Sequence, residues 1–284
     1  MLSRIRTYGS FIRFSHTVFA LPFALSGALL AVGSSSLTWG RVGWIVLAMT
    51  MARTAAMGFN RIVDARYDAQ NPRTANRELP RGVMTMREAS GLVVISSVAF
   101  VAVTWTLGPL CFALSPIALG IVFWYSFSKR FTMYAQLFLG LALAVAPVGG
   151  WLAAGGGWGW PPWLLAFGTA MWVAGFDILY ACDDIEIDRV QGLKSIPVRF
   201  GVAASLRISR VFHAVAVASL AAVAVVMPLG PLYLVGVIGV GALLAYEQSL
   251  VRSDDLSRVK DAFDLNGWVG ILYLMTTAGA LYVG

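Results

Sequence analysis

Charge is scarce in this chain. Only 12% of its 284 residues are Asp, Glu, Lys or Arg, where an ordinary soluble domain carries about a quarter. No long polar linker or low-complexity tract interrupts the sequence, so residues 1–284 read as one domain. Cysteine is nearly absent. Cys111 and Cys182 have no metal-ligand spacing and build no disulfide framework, and the spans described below put them on opposite sides of a bilayer. Histidine is as rare. His16 and His213 each stand alone near a span end, which suits a hydrogen-bonded interfacial residue better than a base or a ligand. The net charge of +7 does not point to nucleic acid, because the cations lie in short segments between apolar stretches.

What the chain has in excess is apolar sequence: 58% of its residues, with a mean hydropathy of +0.75. That is more than one aqueous core hides, so lipid is the expected solvent and an all-α membrane bundle the expected fold. Stretches of spanning length fall at about 15–33, 41–62, 88–107, 109–127, 133–153, 161–182, 208–227, 229–248 and 266–283. The breaks are turn-like, with Gly155-Gly156-Gly157 before Pro161-Pro162 and Pro228-Leu229-Gly230-Pro231 further on. The first stretch exceeds the core of a signal peptide, which is about 7–15 residues. Nine spans are therefore expected. Eighteen of the 21 cations then fall in alternate segments: Arg4, Arg6 and Arg13 at the N-terminus, and groups after spans two, four, six and eight. The positive-inside rule makes those segments and the N-terminus cytoplasmic.

All 14 acids lie at or near that side except Asp177, within span six. Two groups stand out. Asn60, Asp64 and Asp68 are spaced by four at the end of span two; Tyr180, Asp184 and Asp188 repeat the spacing at the end of span six. Residues four apart share a helix face, and each set climbs about 12 Å at ~1.5 Å per residue. Carboxylates so placed repel one another unless a cation lies between them. Mg²⁺ takes one or two carboxylates and completes its shell with phosphate oxygens and water. Two facing stripes would hold two Mg²⁺ ions around a diphosphate, with Asn60, Asp64, Asp68, Asp184 and Asp188 as ligands. Past each stripe a cation stands three residues before a proline, Arg77 before Pro80 and Lys194 before Pro197. Arg77, Lys194 and the pair Lys129-Arg130 are read as diphosphate-binding, together with Tyr180. Asp183 and Glu186 lie off the stripe and receive no metal role.

The segments Asn60 to Asp68, Asn71 to Pro80, Tyr125 to Thr132 and Asp177 to Pro197, with His16 to Ala24 in span one, resemble the UbiA superfamily of intramembrane aromatic prenyltransferases. The likeness covers essentially the whole chain. The His16 segment and Gly175-Phe-Asp-Ile-Leu-Tyr180 look most like the branch serving menaquinone synthesis by the futalosine route, near the 4-hydroxybenzoate polyprenyltransferases. The resemblance implies a helical bundle around a central cavity with lateral access for a lipid-like chain. It also implies Mg²⁺-dependent transfer of a polyprenyl group from its diphosphate to an aromatic acid on the route to a membrane quinone. Asp64, Asp68, Asp184 and Asp188, with Asp177, are then catalytic. The allylic cation left by the departing diphosphate needs dry, aromatic walls, for which Trp124, Tyr125, Phe127, Trp172 and Phe176 are available. The partners implied are the two substrates and the bilayer, with no nucleic acid and no known protein partner. A haem or chlorophyll precursor remains an alternative acceptor. A transporter of an anionic metabolite or divalent cation is the rival outside the enzyme class, disfavoured because the acids are one-sided.

Two mid-span charges are costly in lipid and normally face a cavity or each other. Arg53 lies seven residues before Asn60, and Asp177 seven before Asp184. Arg53 is read as binding the carboxylate of the aromatic acceptor and Asp177 as orienting its ring or accepting its proton; the alternative is a structural ion pair. Asn266, at the start of span nine, reads as an interfacial cap in preference to a substrate contact.

Overall fold

The structure, a computed structural model, describes Gly9, Phe11 and residues 19–33 and 37–283. Nine long helices carry these residues: α1 (Leu21–Val32), α2 (Trp39–Asp68), α3 (Met86–Leu107), α4 (Pro109–Trp124), α5 (Ala135–Ala153), α6 (Pro161–Ala181), α7 (Val202–Val226), α8 (Pro231–Leu250) and α9 (Val259–Tyr282). Among the described residues there is no β-strand, only an isolated bridge between Arg252 and Asp255.

Their ends follow from local chemistry. Thr38 caps α2, its hydroxyl accepting the Arg41 amide at 3.3 Å, and Thr85 and Glu88 form a reciprocal capping box on α3. Proline opens α4, α6 and α8, where its missing N–H costs nothing. Gly108, at φ 137°, makes the one-residue join between α3 and α4.

Among the described residues seven helices are long and apolar enough to cross a membrane, α2 through α8, so the expectation of nine spans is met only in part. Helix α1 has 12 described residues, and the expected start of its span, with Arg4, Arg6, Arg13 and His16, lies outside the described residues. Helix α9 has 24 residues, but Lys260, Asp261, Asp264 and Asn266 occupy its first turns and dilute its apolar character.

Helices α2, α3 and α4 form one lobe and α6 through α9 the other, with α1 and α5 between them. Glycine sets how closely the middle packs. A Cβ at Gly140 of α5 would lie 2.3 Å from the Ala170 carbonyl oxygen of α6, and one at Gly150 would lie 1.8 Å from that of Ala24 in α1. Such backbone-to-backbone approach is how helices gain packing energy where lipid offers no hydrophobic drive. Side chains such as Ile95, Trp105, Ile117 and Ile238 face outward, as lipid requires. Trp39, Trp158 and Trp160 are exposed at the end away from the acids, where an aromatic belt belongs.

Candidate active site

Helix α2 runs unbroken through Asp68, so Asn60, Asp64 and Asp68 form a true helical stripe. The second set differs from its expectation. After Ala181 the chain tightens into a 3₁₀ turn, Cys182–Asp184, and resumes as a short helix, Ile185–Val190. Tyr180, Asp184 and Asp188 are thus not one continuous α-helical row, yet all three line the same cavity as the first set. Asp183 and Glu186 point away and are exposed.

Each carboxylate of the two sets has its own cation. Arg77 donates to both oxygens of Asp68 at 2.7 Å. Arg130 reaches Asp64 at 3.2 Å and the Val63 carbonyl at 2.8 Å, and Lys129 lies 3.4 Å from Asp188. Arg73 pairs with Asp184 and donates to the Tyr180 hydroxyl, its guanidinium stacked 4.7 Å from the Tyr180 ring centre. Asn60 donates to Asp64 at 3.0 Å. The side-chain amide of Gln191 donates to the Tyr67 carbonyl at 2.9 Å and ties the two acid-bearing ends together.

Arg73 has no counterpart in the expected site. Its position is set by a turn: the Asn71 side chain accepts the Arg73 amide at 2.9 Å, and the Thr74 hydroxyl bonds the Asp68 carbonyl at 3.1 Å. Asn71-Pro72-Arg73 was the available signal, a turn sequence presenting a cation just past the stripe. Lys194, by contrast, does not reach the cavity. Its amine lies 3.4 Å from the Phe131 carbonyl and its backbone N–H donates to the Lys129 carbonyl at 2.7 Å. It braces the segment that carries Lys129.

Below the carboxylates a cavity of about 840 Å³ extends between α1, α2, α4, α5 and α6. Arg53 and Asp177 line it, as do Tyr125, Phe176 and Tyr180. Three of the expected wall residues do not. Trp124 is exposed toward the outside of the bundle, Phe127 packs edge-on to Phe59, and Trp172 is buried behind Phe176. His213 and Asn266 are not interfacial either; both are buried, in a polar network linking α6 to α9. Cys111 and Cys182 are free, as expected.

The donors at the two helix ends are all oxygens, which suits a hard divalent cation. Among the described residues no three acidic, His or Cys side chains converge on one point. An ion here would draw part of its shell from a ligand and water, which is how Mg²⁺ binds beside phosphate. The residues therefore fit Mg²⁺ accompanied by a diphosphate.

A family model described as the UbiA prenyltransferase family matches residues 20–272. A 4-hydroxybenzoate octaprenyltransferase of Vibrio campbellii is 31% identical over 270 residues, spanning 95% of this chain and 92% of its own. One from Vibrio parahaemolyticus is 32% identical over 267 residues, spanning 94% and 91%. Among solved structures, the apo structure of a UbiA homolog from Aeropyrum pernix K1 superposes with a TM-score of 0.85 at 34% identity, covering 93% of this chain and 97% of that one. A UbiA homolog from Archaeoglobus fulgidus bound to GPP and Mg²⁺ has a TM-score of 0.72 over 97% of this chain and 99% of that one; at 18% identity it shares the fold.

Proposed function

Since the chain belongs to the UbiA prenyltransferase family and is an integral membrane prenyltransferase, we propose that it transfers a polyprenyl group from its diphosphate to an aromatic acid of the 4-hydroxybenzoate kind, in quinone biosynthesis. Two acid-bearing helix ends facing each other over one apolar cavity, each carboxylate matched to a cation, carry this assignment.

Asn60, Asp64 and Asp68 on one side and Asp184 and Asp188 on the other would hold Mg²⁺. When bound, the metal neutralises charge on the departing diphosphate. Arg73, Arg77, Lys129 and Arg130 exchange carboxylate oxygens for phosphate oxygens as substrate enters, and Tyr180 donates from beside Arg73. The C1–O bond of the allylic diphosphate breaks with its electron pair leaving on oxygen. A ring carbon of the acceptor supplies the pair for the new C–C bond, and Asp177 takes the ring proton. Arg53, with a planar fork suited to a carboxylate, holds the acid deeper in the cavity. Phe176 and Tyr125 exclude water beside the reacting carbon. The site opens to the cytoplasm, as the cation distribution favours, and the bundle works as a single domain in the bilayer.

The test is transfer itself. Purified protein with Mg²⁺ and radiolabelled polyprenyl diphosphate should attach the label to 4-hydroxybenzoate within a panel including hydroxynaphthoates and porphyrin precursors. Asp64→Ala and Asp184→Ala should lose the reaction while staying folded in membranes. Labelling of a hydroxynaphthoate alone would move the enzyme to the menaquinone branch; labelling of no aromatic acid would sink the proposal.

A further inference from the structure

Away from the carboxylates, α6, α7, α8 and α9 share a buried polar network that the chemistry above does not use. The Trp172 indole N–H donates to Asn266 Oδ1 at 2.7 Å, and Asn266 Nδ2 donates to Glu247 Oε1 at 2.7 Å. Glu247 lies 3.6 Å from His213, and the Gln248 side chain is 3.0 Å from the His213 Nδ1. Asn266 is wholly buried. Its amide orientation follows from its neighbours: an indole only donates, so the oxygen must face Trp172 and the nitrogen Glu247. Four helices are held by groups that would each be costly to leave unpaired in lipid.

The network ends on the cavity wall. Trp172 packs against Phe176 at 5.3 Å between ring centres. Phe176 in turn meets Phe263 at 5.6 Å, and Phe263 meets Tyr180 at 4.7 Å. Phe263 stands one helical turn before Asn266 on α9, and Asn266 Nδ2 also lies 3.3 Å from the Phe263 carbonyl. Phe176, Tyr180 and Phe263 all line the cavity. Phe176 lies four residues, about 6 Å of helical rise, before Tyr180 on α6, and Tyr180 is tied through Arg73 to Asp184. This wall is where the first isoprene unit of a bound diphosphate would lie.

We propose that Asn266 is a positioning residue for the transfer reaction: by joining Trp172 of α6 to Glu247 of α8, it clamps α9 to α6 and keeps the Phe176–Phe263–Tyr180 wall closed against water. This rests on the prenyl-transfer assignment. Two fates compete once the C1–O bond has broken. The ring carbon of the acceptor forms a C–C bond and the ring loses a proton. Alternatively water forms a C–O bond to C1 and loses a proton, giving free prenyl alcohol. A loosened wall favours the second.

The experiment measures the ratio of prenyl alcohol to prenylated acid at saturating acceptor. Both products come from the same folded molecules, so the ratio does not respond to a smaller folded fraction. Asn266→Leu should raise it roughly tenfold or more, while Glu247→Gln, which keeps an acceptor for the Asn266 amide, should leave it within about twofold. Trp172→Phe keeps the ring packing but removes the N–H donor, and should raise the ratio as well. An unchanged ratio in Asn266→Leu, or in Trp172→Phe if the former yields no folded protein, would overturn the proposal and leave the network a matter of stability alone. A wild-type protein that releases no diphosphate would instead overturn the assignment on which it rests.

Discussion

At the residue scale the carboxylates are already occupied. Asp68 is held by Arg77 through two bonds of 2.7 Å, so an entering divalent ion competes with a guanidinium for the same oxygens. Charge-assisted pairs of this kind are the stronger hydrogen bonds. Arg77→Gln is therefore expected to strengthen metal binding in the absence of diphosphate, by roughly tenfold, while weakening diphosphate binding by a similar factor. Paramagnetic titration with Mn²⁺, with and without a non-reactive prenyl diphosphate analogue, reads both. Weaker Mn²⁺ binding in the variant alone would contradict partner exchange. Arg53 belongs to the other substrate. Arg53→Leu should raise KM for the aromatic acid by about tenfold or more and leave KM for prenyl diphosphate little changed. A parallel rise in both, with a lower Tm, would make Arg53 structural.

At the scale of elements, the bundle depends on how close α5 comes to its neighbours. Gly140→Ala places a Cβ against the Ala170 backbone, where neither helix yields by rotating a side chain. Overpacking of this kind costs about 1–3 kcal/mol, so Tm in detergent should fall by several degrees; an unchanged Tm would mean that the two helices separate freely. The elements were also the most legible part of the sequence. Long apolar runs between cation groups marked most helices to within a few residues, and the stripe on α2 was readable because an uninterrupted helix fixes where every fourth residue points. The repeat on α6 was only half readable. Its residues reach the cavity, but through a 3₁₀ turn that spacing alone does not reveal. Loop cations were least legible. Arg77 and Lys194 stand in the same register, yet only Arg77 faces the site, and Arg73 reaches it through the Asn71 turn, because packing and turns rather than spacing decide where loop side chains go. The network of His213, Glu247 and Asn266 was invisible for the same reason: its members lie on three helices.

For the whole molecule the outstanding property is sidedness. Asn76 and Val190 are exposed beside the acid-bearing ends and Trp158 at the opposite end, so thiol labelling at these three positions reads the topology. In a background lacking Cys111 and Cys182, cysteine at Trp158 should react with an impermeant thiol reagent in intact cells. Cysteine at Asn76 or Val190 should react only after permeabilisation, and reaction in sealed cells would invert the topology. The one-to-one matching of four acids with four cations bears on how the molecule sits in an energised membrane. The paired side chains sum to no net charge, and a divalent ion accompanying a diphosphate brings nearly balanced charge with it. Loading and release then move little net charge through the transmembrane field, although each unbalanced charge would feel about 2.3 kcal/mol per 100 mV. In sealed proteoliposomes, a potassium diffusion potential of either sign should change turnover by less than about twofold. A steep voltage dependence would mean that substrate and counter-ion enter separately.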